Sequence, residues 1–185
     1  MPSYAQFDVW QNTAGATYNS VVQVTHYVLR NQRFGVSSTE AKFMESSITT
    51  KLANSRIMVE IMAPHGAYNQ DVDIAAAVGY GTSSSGSTSA YTSLHGSYSR
   101  QTVSNLGSYF AQDTSEPGGG SWNGGYVVVP RFYQTVHSPG YAAGTTIYYS
   151  VWASTESGTM YWGSAYSGST DNGQDCTITL TELSQ

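Results

Sequence analysis

Along residues 56–63 apolar and polar positions alternate without a break, with Ile57, Val59, Ile61 and Ala63 on one side and Arg56, Met58, Glu60 and Met62 on the other. A period of two is the signature of an extended strand with one face against a core. The C-terminal end repeats it. Cys176, Ile178 and Leu180 alternate with Thr177, Thr179 and Thr181, which predicts a last strand with an apolar inner face and a β-branched hydroxyl outer face. Further β-rich runs occupy residues 4–10, 21–30, 72–80, 126–137, 145–154 and 159–166, with less regular ones at 43–49 and 103–111. Turn-forming clusters such as Ser138-Pro139-Gly140 and Asn123-Gly124 separate them. The fold class is therefore all-β, an antiparallel β-sandwich of jelly-roll type with about eight to ten strands.

Two runs are apolar on both sides. In residues 145–154, Ile147, Tyr149, Val151 and Ala153 face one way while Tyr148 and Trp152 face the other. In residues 126–137, Val127, Val129 and Tyr133 alternate with Tyr126, Val128 and Phe132. A solvated sheet face needs less apolar surface than this, so either another copy of the chain or the chain's own loops cover it. The expectation taken forward is a homotrimer with Tyr148 and Trp152 in its interface. Residues 81–99 and 113–125, biased to Ser, Thr, Gly and Tyr, read as long loops. Tyr91, Tyr98 and Trp122 in them suit a ligand platform, and plain connection is the competing reading.

Composition narrows the function. The chain has 185 residues, the size of one domain, and is expected to divide into an N-terminal segment, 1–20, and a jelly-roll domain, 21–185. Charged residues make up 10%, Lys and Arg number 7, and the net charge is −5. No basic cluster offers a footprint for nucleic acid. No apolar run reaches the ~18 residues of a membrane span, and Met1 is followed by no signal-peptide pattern, so neither membrane insertion nor a secretion address is expected. The single Cys176 forms no disulfide framework and reads as a buried small hydrophobe.

Candidate chemistry is sparse. His26, His65, His95 and His137 have no metal-ligand spacing, and no nucleophile elbow, phosphate loop or dinucleotide fingerprint is present. Asp71 and Asp73 read as strand flanks and Asp171 as part of a turn, while spatial clustering of these with Glu60, Glu116 and Asp175 for glycoside cleavage is open at this point. The expectation is a protein that is no enzyme and has no catalytic residues, no metal and no cofactor.

Three stretches carry a family resemblance. Residues 10–24 (WQNTAGATYNSVVQV) resemble an opening pattern N-x-x-G-x-x-x-N-x-V-V-Q-V, and residues 48–59 (ITTKLANSRIMV) resemble a turn-to-strand pattern I-T-P-x-x-x-x-S-K-I-L-V. Residues 148–152 (YYSVW), leading to residues 175–183 (DCTITLTEL), are similar to a closing S-x-I-T-L-x-E-I strand. These patterns belong to jelly-roll domains of virion surface proteins of tailed phages, particularly phages of marine bacteria and cyanobacteria.

The resemblance implies a trimeric sandwich of the C1q and tumour-necrosis-factor type on a virus particle. Because Met1 lies close to the domain, with no shaft before it, the expectation is a stand-alone capsid decoration or cement protein, made in the host cytoplasm and bound to the major capsid protein or another virion protein. Tyr4, Phe7, Val9 and Trp10 supply apolar anchors for an attachment arm over residues 1–15, or else form a first strand of the domain's own sheet. The alternative function is a tail-fibre or head-fibre tip that binds a host receptor or surface glycan.

Overall fold

A computed structural model describes residues 20–30, 34–36, 40–66, 73–95, 103–107, 110–113, 131–155, 160–163 and 174–184. Twelve strands lie among them: β1 (Val21–Leu29), β2 (Phe34–Val36), β3 (Ala41–Thr49), β4 (Arg56–Met62), β5 (His65–Gly66), β6 (Asp73–Gly81), β7 (Thr92–Ser93), β8 (Phe110–Asp113), β9 (Phe132–His137), β10 (Thr146–Thr155), β11 (Met160–Trp162) and β12 (Cys176–Leu183). No α-helix occurs among these residues; two single 3₁₀ turns, Thr88–Ala90 and Ser104–Leu106, are the helical elements.

The first sheet has the order β1-β12-β4-β9 and the second β3-β10-β6-β7, with β8 also on β6. Every pairing is antiparallel, and the pairs nest: β1 with β12, β3 with β10, β4 with β9, β6 with β7 and β8. Successive major strands cross between the layers, which is the winding of a jelly roll. A small third sheet, β2-β11-β5, adds Trp162, whose ring stacks on Phe43 at 4.4 Å.

The alternation read from the sequence decides which side chains enter the core. Ile57, Val59, Ile61 and Ala63 are fully buried, and register places them beside Cys176, Ile178 and Leu180, also fully buried. From the second sheet come Met44, Ile48, Val78, Ile147, Tyr149 and Val151. One polar bridge spans the layers: His137 Nδ1 lies 2.9 Å from the Tyr149 hydroxyl, with the Tyr80 ring 4.1 Å from the imidazole. Burial drives the His137 pKa down to about 4, so the ring is neutral at neutral pH.

The last strand breaks its own pattern at Glu182, which faces inward and is fully buried. The backbone N–H groups of Lys51 and Leu52 donate to its carboxylate at 2.9 and 3.0 Å, and Gln23 Nε2 donates at 2.6 Å. Burial pushes the carboxyl up, but the N–H groups of Leu52 and Lys51, with the Ser55 and Gln23 side chains, outweigh it and hold the pKa below its ordinary value. This carboxylate fixes the turn at residues 50–55, where Asn54 takes a left-handed φ of 55°. The same turn is tied to the β9–β10 connection by Thr50 N to Thr145 O and Asn54 N to Tyr141 O, at 2.9 and 2.8 Å.

One strand expectation fails. Residues 103–111 do not form a continuous strand: Val103–Gly107 closes a 3₁₀ turn, with Gly107 at φ 67°, and the described residues are extended again in β8 (Phe110–Asp113). The β-branched residue that suggested a strand, Val103, is buried instead by packing on the second sheet. The expected strand at residues 4–10 lies outside the described residues, and of 126–137 the described part is β9.

Acid should unfold this protein from a few identifiable groups. His65, lowered to about 3 by burial and by nearby Arg131, joins His137 and Glu182 in having a folded-state pKa below its unfolded value. Their stabilisation is complete above the unfolded histidine value of about 6.5 and is lost as pH falls through the folded values. Urea midpoints should be level from pH 8 to about 6.5 and then decline towards pH 4; a level midpoint down to pH 4 contradicts the assignment. Glu182→Gln should cost about 2 kcal/mol at pH 7, since a charged acceptor of backbone N–H groups is lost. The Cys176 thiol, pushed up to about 12 by burial and by Asp175, should resist a disulfide reagent until denaturant is added.

Candidate assembly surface

The two outer faces of the sandwich are treated differently. On the outside of the second sheet, β6 presents a stripe of small residues, Ala75, Ala77, Gly79 and Gly81, beside Tyr148, Ser150 and Trp152 of β10. Residues 82–95 and 103–107 fold back onto this stripe, and Tyr91, Val103, Leu106 and Trp152 form a second buried cluster there. The missing side chains make the room: a Cβ on Gly79 would stand 2.7 Å from Cβ of Tyr91 and 3.1 Å from a Leu106 methyl.

Polar contacts pin the cover. Tyr91 donates its hydroxyl to Glu45 and accepts from Ser85 N at 2.7 Å, Lys42 Nζ bridges Glu45 and Ser85 O, and Asn105 Nδ2 joins Thr88 O and Tyr91 O at 3.2 Å each.

Two sequence expectations are thereby corrected. Trp152 is 3% exposed within a single chain, its ring edge-on to Tyr91 at 5.9 Å and its N–H donating to Ser150 Oγ at 2.8 Å, so it is a core residue of the chain and not an interface residue between copies. Tyr91 is also 3% exposed and has no open ring face to offer a ligand. The chain's own loop supplies the cover that a second copy was expected to supply. Tyr148 is half-buried at the margin of this cluster. Tyr4, Phe7, Val9, Trp10, Tyr98 and Trp122 lie outside the described residues.

The outer face of the first sheet has no such cover among the described residues. Register arranges it in rows across the four strands. One row is Val28, Thr177, Met62 and Phe132; another is Val24, Thr181, Met58 and Val136. Between them runs a polar row, His26, Thr179, Glu60 and Gln134. Within it His26 Nδ1 lies 2.9 Å from Thr179 Oγ1, and Gln134 Nε2 donates to Glu60 at 3.0 Å. Phe132 is 64% exposed, Val24 57% and Val136 49%.

Single exposed apolar residues are ordinary, whereas here Val24, Met58, Met62, Phe132 and Val136 share one face, interrupted on β12 by Thr177 and Thr181, and grouped apolar exposure of this kind is what an interaction surface requires. The sequence held the signal in Met58 and Met62, which occupy the solvent side of its cleanest alternation, and in Phe132 and Val136 flanking Gln134.

No group of three His, Cys, Asp or Glu side chains converges among the described residues. Glu60 belongs to the outer polar row, and Asp71, Glu116 and Asp171 lie outside the described residues.

No protein-family model matches the chain, and no curated protein matches it in sequence. Among solved structures it is similar to the VP2 subviral particle of infectious bursal disease virus, with 9% identity, a TM-score of 0.39 and coverage of 98% of this chain and 41% of that one. The Gx strain of that virus gives the same identity, score and coverage, and the Gt strain gives 11% identity and a TM-score of 0.36, covering 98% and 40%. The chain spans about two fifths of the length of the VP2 chains it matches.

Gly79→Ala should destabilise the fold by about 1–3 kcal/mol by forcing Tyr91 and Leu106 outward. Trp152→Ala should cost about 3–5 kcal/mol, the usual loss for a buried aromatic. Chemical denaturation with near-ultraviolet circular dichroism checks both. A Trp152→Ala protein of unchanged stability would restore Trp152 to the surface.

Proposed function

We propose that this chain is a non-enzymatic structural protein of a phage virion, a decoration or cement protein that assembles with itself on the particle surface and contacts the major capsid protein or another virion protein. The observation that carries this reading is the outer face of the first sheet, where Val24, Phe132 and Val136 are exposed with Met58 and Met62 beside them and nothing covers them among the described residues, while the opposite face of the sandwich is closed by the chain's own loop. A domain that uses one of its loops to bury one face and leaves the other face apolar is built to be completed by a neighbour.

The family resemblance supports the same reading. Its motifs fall on β1, β4, β10 and β12, three of which make up most of the open sheet. In this reading Tyr4, Phe7, Val9 and Trp10 form a contact arm to the particle, and the copies associate as a trimer through surfaces other than Trp152. The alternative, a receptor- or glycan-binding tip, has lost Tyr91 as a platform and rests on Tyr98 and Trp122.

Quantitative mass spectrometry of purified particles, followed by cryo-microscopy, tests the proposal. The expected result is many copies per particle with the sandwich on the outer surface. Abundant chain in the producing cells with none on purified particles would overturn it.

A further inference from the structure

We propose that His95 is an acid-released latch: its imidazole completes the hydrogen-bond ladder along one edge of β6, and protonation of the ring lets β7 and His95 peel from the second sheet. The inference is independent of the virion reading and concerns the cover over the small-residue stripe.

Two short strands share this edge of β6. β8 pairs with residues 73–76 and β7 with Gly79 and Tyr80, so Ala77 and Val78 fall between them. Val78 is fully buried and turns its main chain to the same edge: its carbonyl accepts from Leu94 N at 2.9 Å, and its N–H donates to His95 Nε2 at 2.9 Å. A side chain thus stands where a strand residue would. Because a backbone N–H can only donate, the half-buried ring is held as the tautomer with a bare Nε2 and its proton on Nδ1.

An imidazolium has no acceptor to offer. With a proton on Nε2 two N–H groups would point at each other, and the Val78 donor would be stranded away from water. His137 is built otherwise. Its Nδ1 faces the Tyr149 hydroxyl, which can turn from donor to acceptor, so that contact tolerates a change of charge. The nature of the partner makes His95 the group that must let go. Ser93 of the same segment donates to Leu106 O at 2.7 Å, so peeling β7 also loosens the second part of the cover and bares the edge of β6.

The groups around the ring leave a pH window for this step. From β9 the Tyr133 ring stands edge-on at 6.0 Å, and burial pushes its hydroxyl up, so it stays neutral. Further along β9, His137 is held down at about 4 by burial. Glu40 is engaged with Ser104 of the adjoining 3₁₀ turn. At the other end of the cover, burial pushes the Glu45 carboxyl up, but hydrogen bonds from Ser84, Tyr91 and Lys42 outweigh it and hold it below its ordinary value. Between pH 7.5 and 5, therefore, Glu45 stays charged and keeps its hold on Tyr91. The closed latch excludes the proton, whereas an opened, solvated imidazole takes it near pH 6.5; opening is favoured as pH falls through that value, by about 30-fold from pH 7.5 to 5.

Hydrogen exchange of the whole chain, followed residue by residue by NMR and expressed as protection factors, tests the latch. The Val78 amide should be less protected than that of Ile61 in the first sheet, and its protection should fall about 30-fold from pH 7.5 to 5. His95→Gln, whose amide oxygen reaches about as far as Nε2 and does not titrate, should keep Val78 protection level over that range. Nitrogen-15 spectra at pH 7.5 should show His95 with Nε2 bare, a reading of the wild-type chain that needs no variant. An equal fall in His95→Gln, Val78 protection equal to that of Ile61 at every pH, or a proton on Nε2 at pH 7.5 would each overturn the proposal.

Discussion

A single buried carboxylate holds the closure of this fold. Glu182 lies on the inner face of the last strand, where the alternation would have placed another apolar residue, and it accepts from the turn before β4 and from Gln23 of β1. A charge in that position is tolerable only with its donors in place, so β12 cannot slip by one residue along β1 or β4 without stranding it. The hydrophobic core supplies most of the stabilisation but is permissive about register. The Glu182 network is not permissive, and through it β1, β12 and β4, three neighbouring strands of the first sheet, are set against one another.

This network also explains the sequence resemblance. Gln23, Ser55 and Glu182 are polar residues at specified positions in the opening, turn and closing patterns, and all three side chains bond in the same cluster. What looked like three separate signatures spread over the chain is one physical constellation. It is a signature of how the sandwich is locked, and the surface that performs the proposed function lies on the other side of the same strands.

Much of the fold was legible because alternation is a local signal. Residues 56–62 and 176–180 carried it cleanly, and their inward side chains are those the pattern named. Tyr91 and Trp152 were misjudged because their fate depends on a contact between segments some 60 residues apart, made possible by the absence of side chains at Gly79 and Gly81. A small-residue stripe reads in sequence as ordinary strand filler; its meaning appears only when a loop is seen lying on it. Glu182 was hidden for the opposite reason, since a charged residue near a C-terminus reads as solvated until the turn that surrounds it is in place. The assembly face was half-visible: two methionines on the polar side of the best strand were the clue, and the four-strand register that joins them to Phe132 and Val136 was the missing step.

The nested pairing has a consequence in time. Ser20 and Ser184, at the outer ends of β1 and β12, are hydrogen-bonded although 164 residues apart. At ~5–20 residues per second, roughly 8–30 s of synthesis separate the emergence of the two strands. Because β12 lies between β1 and β4, the first sheet has a gap through its middle until β12 has been made. A chain in which β12 has not yet been made thus cannot join β1 to β4, and the first sheet closes last.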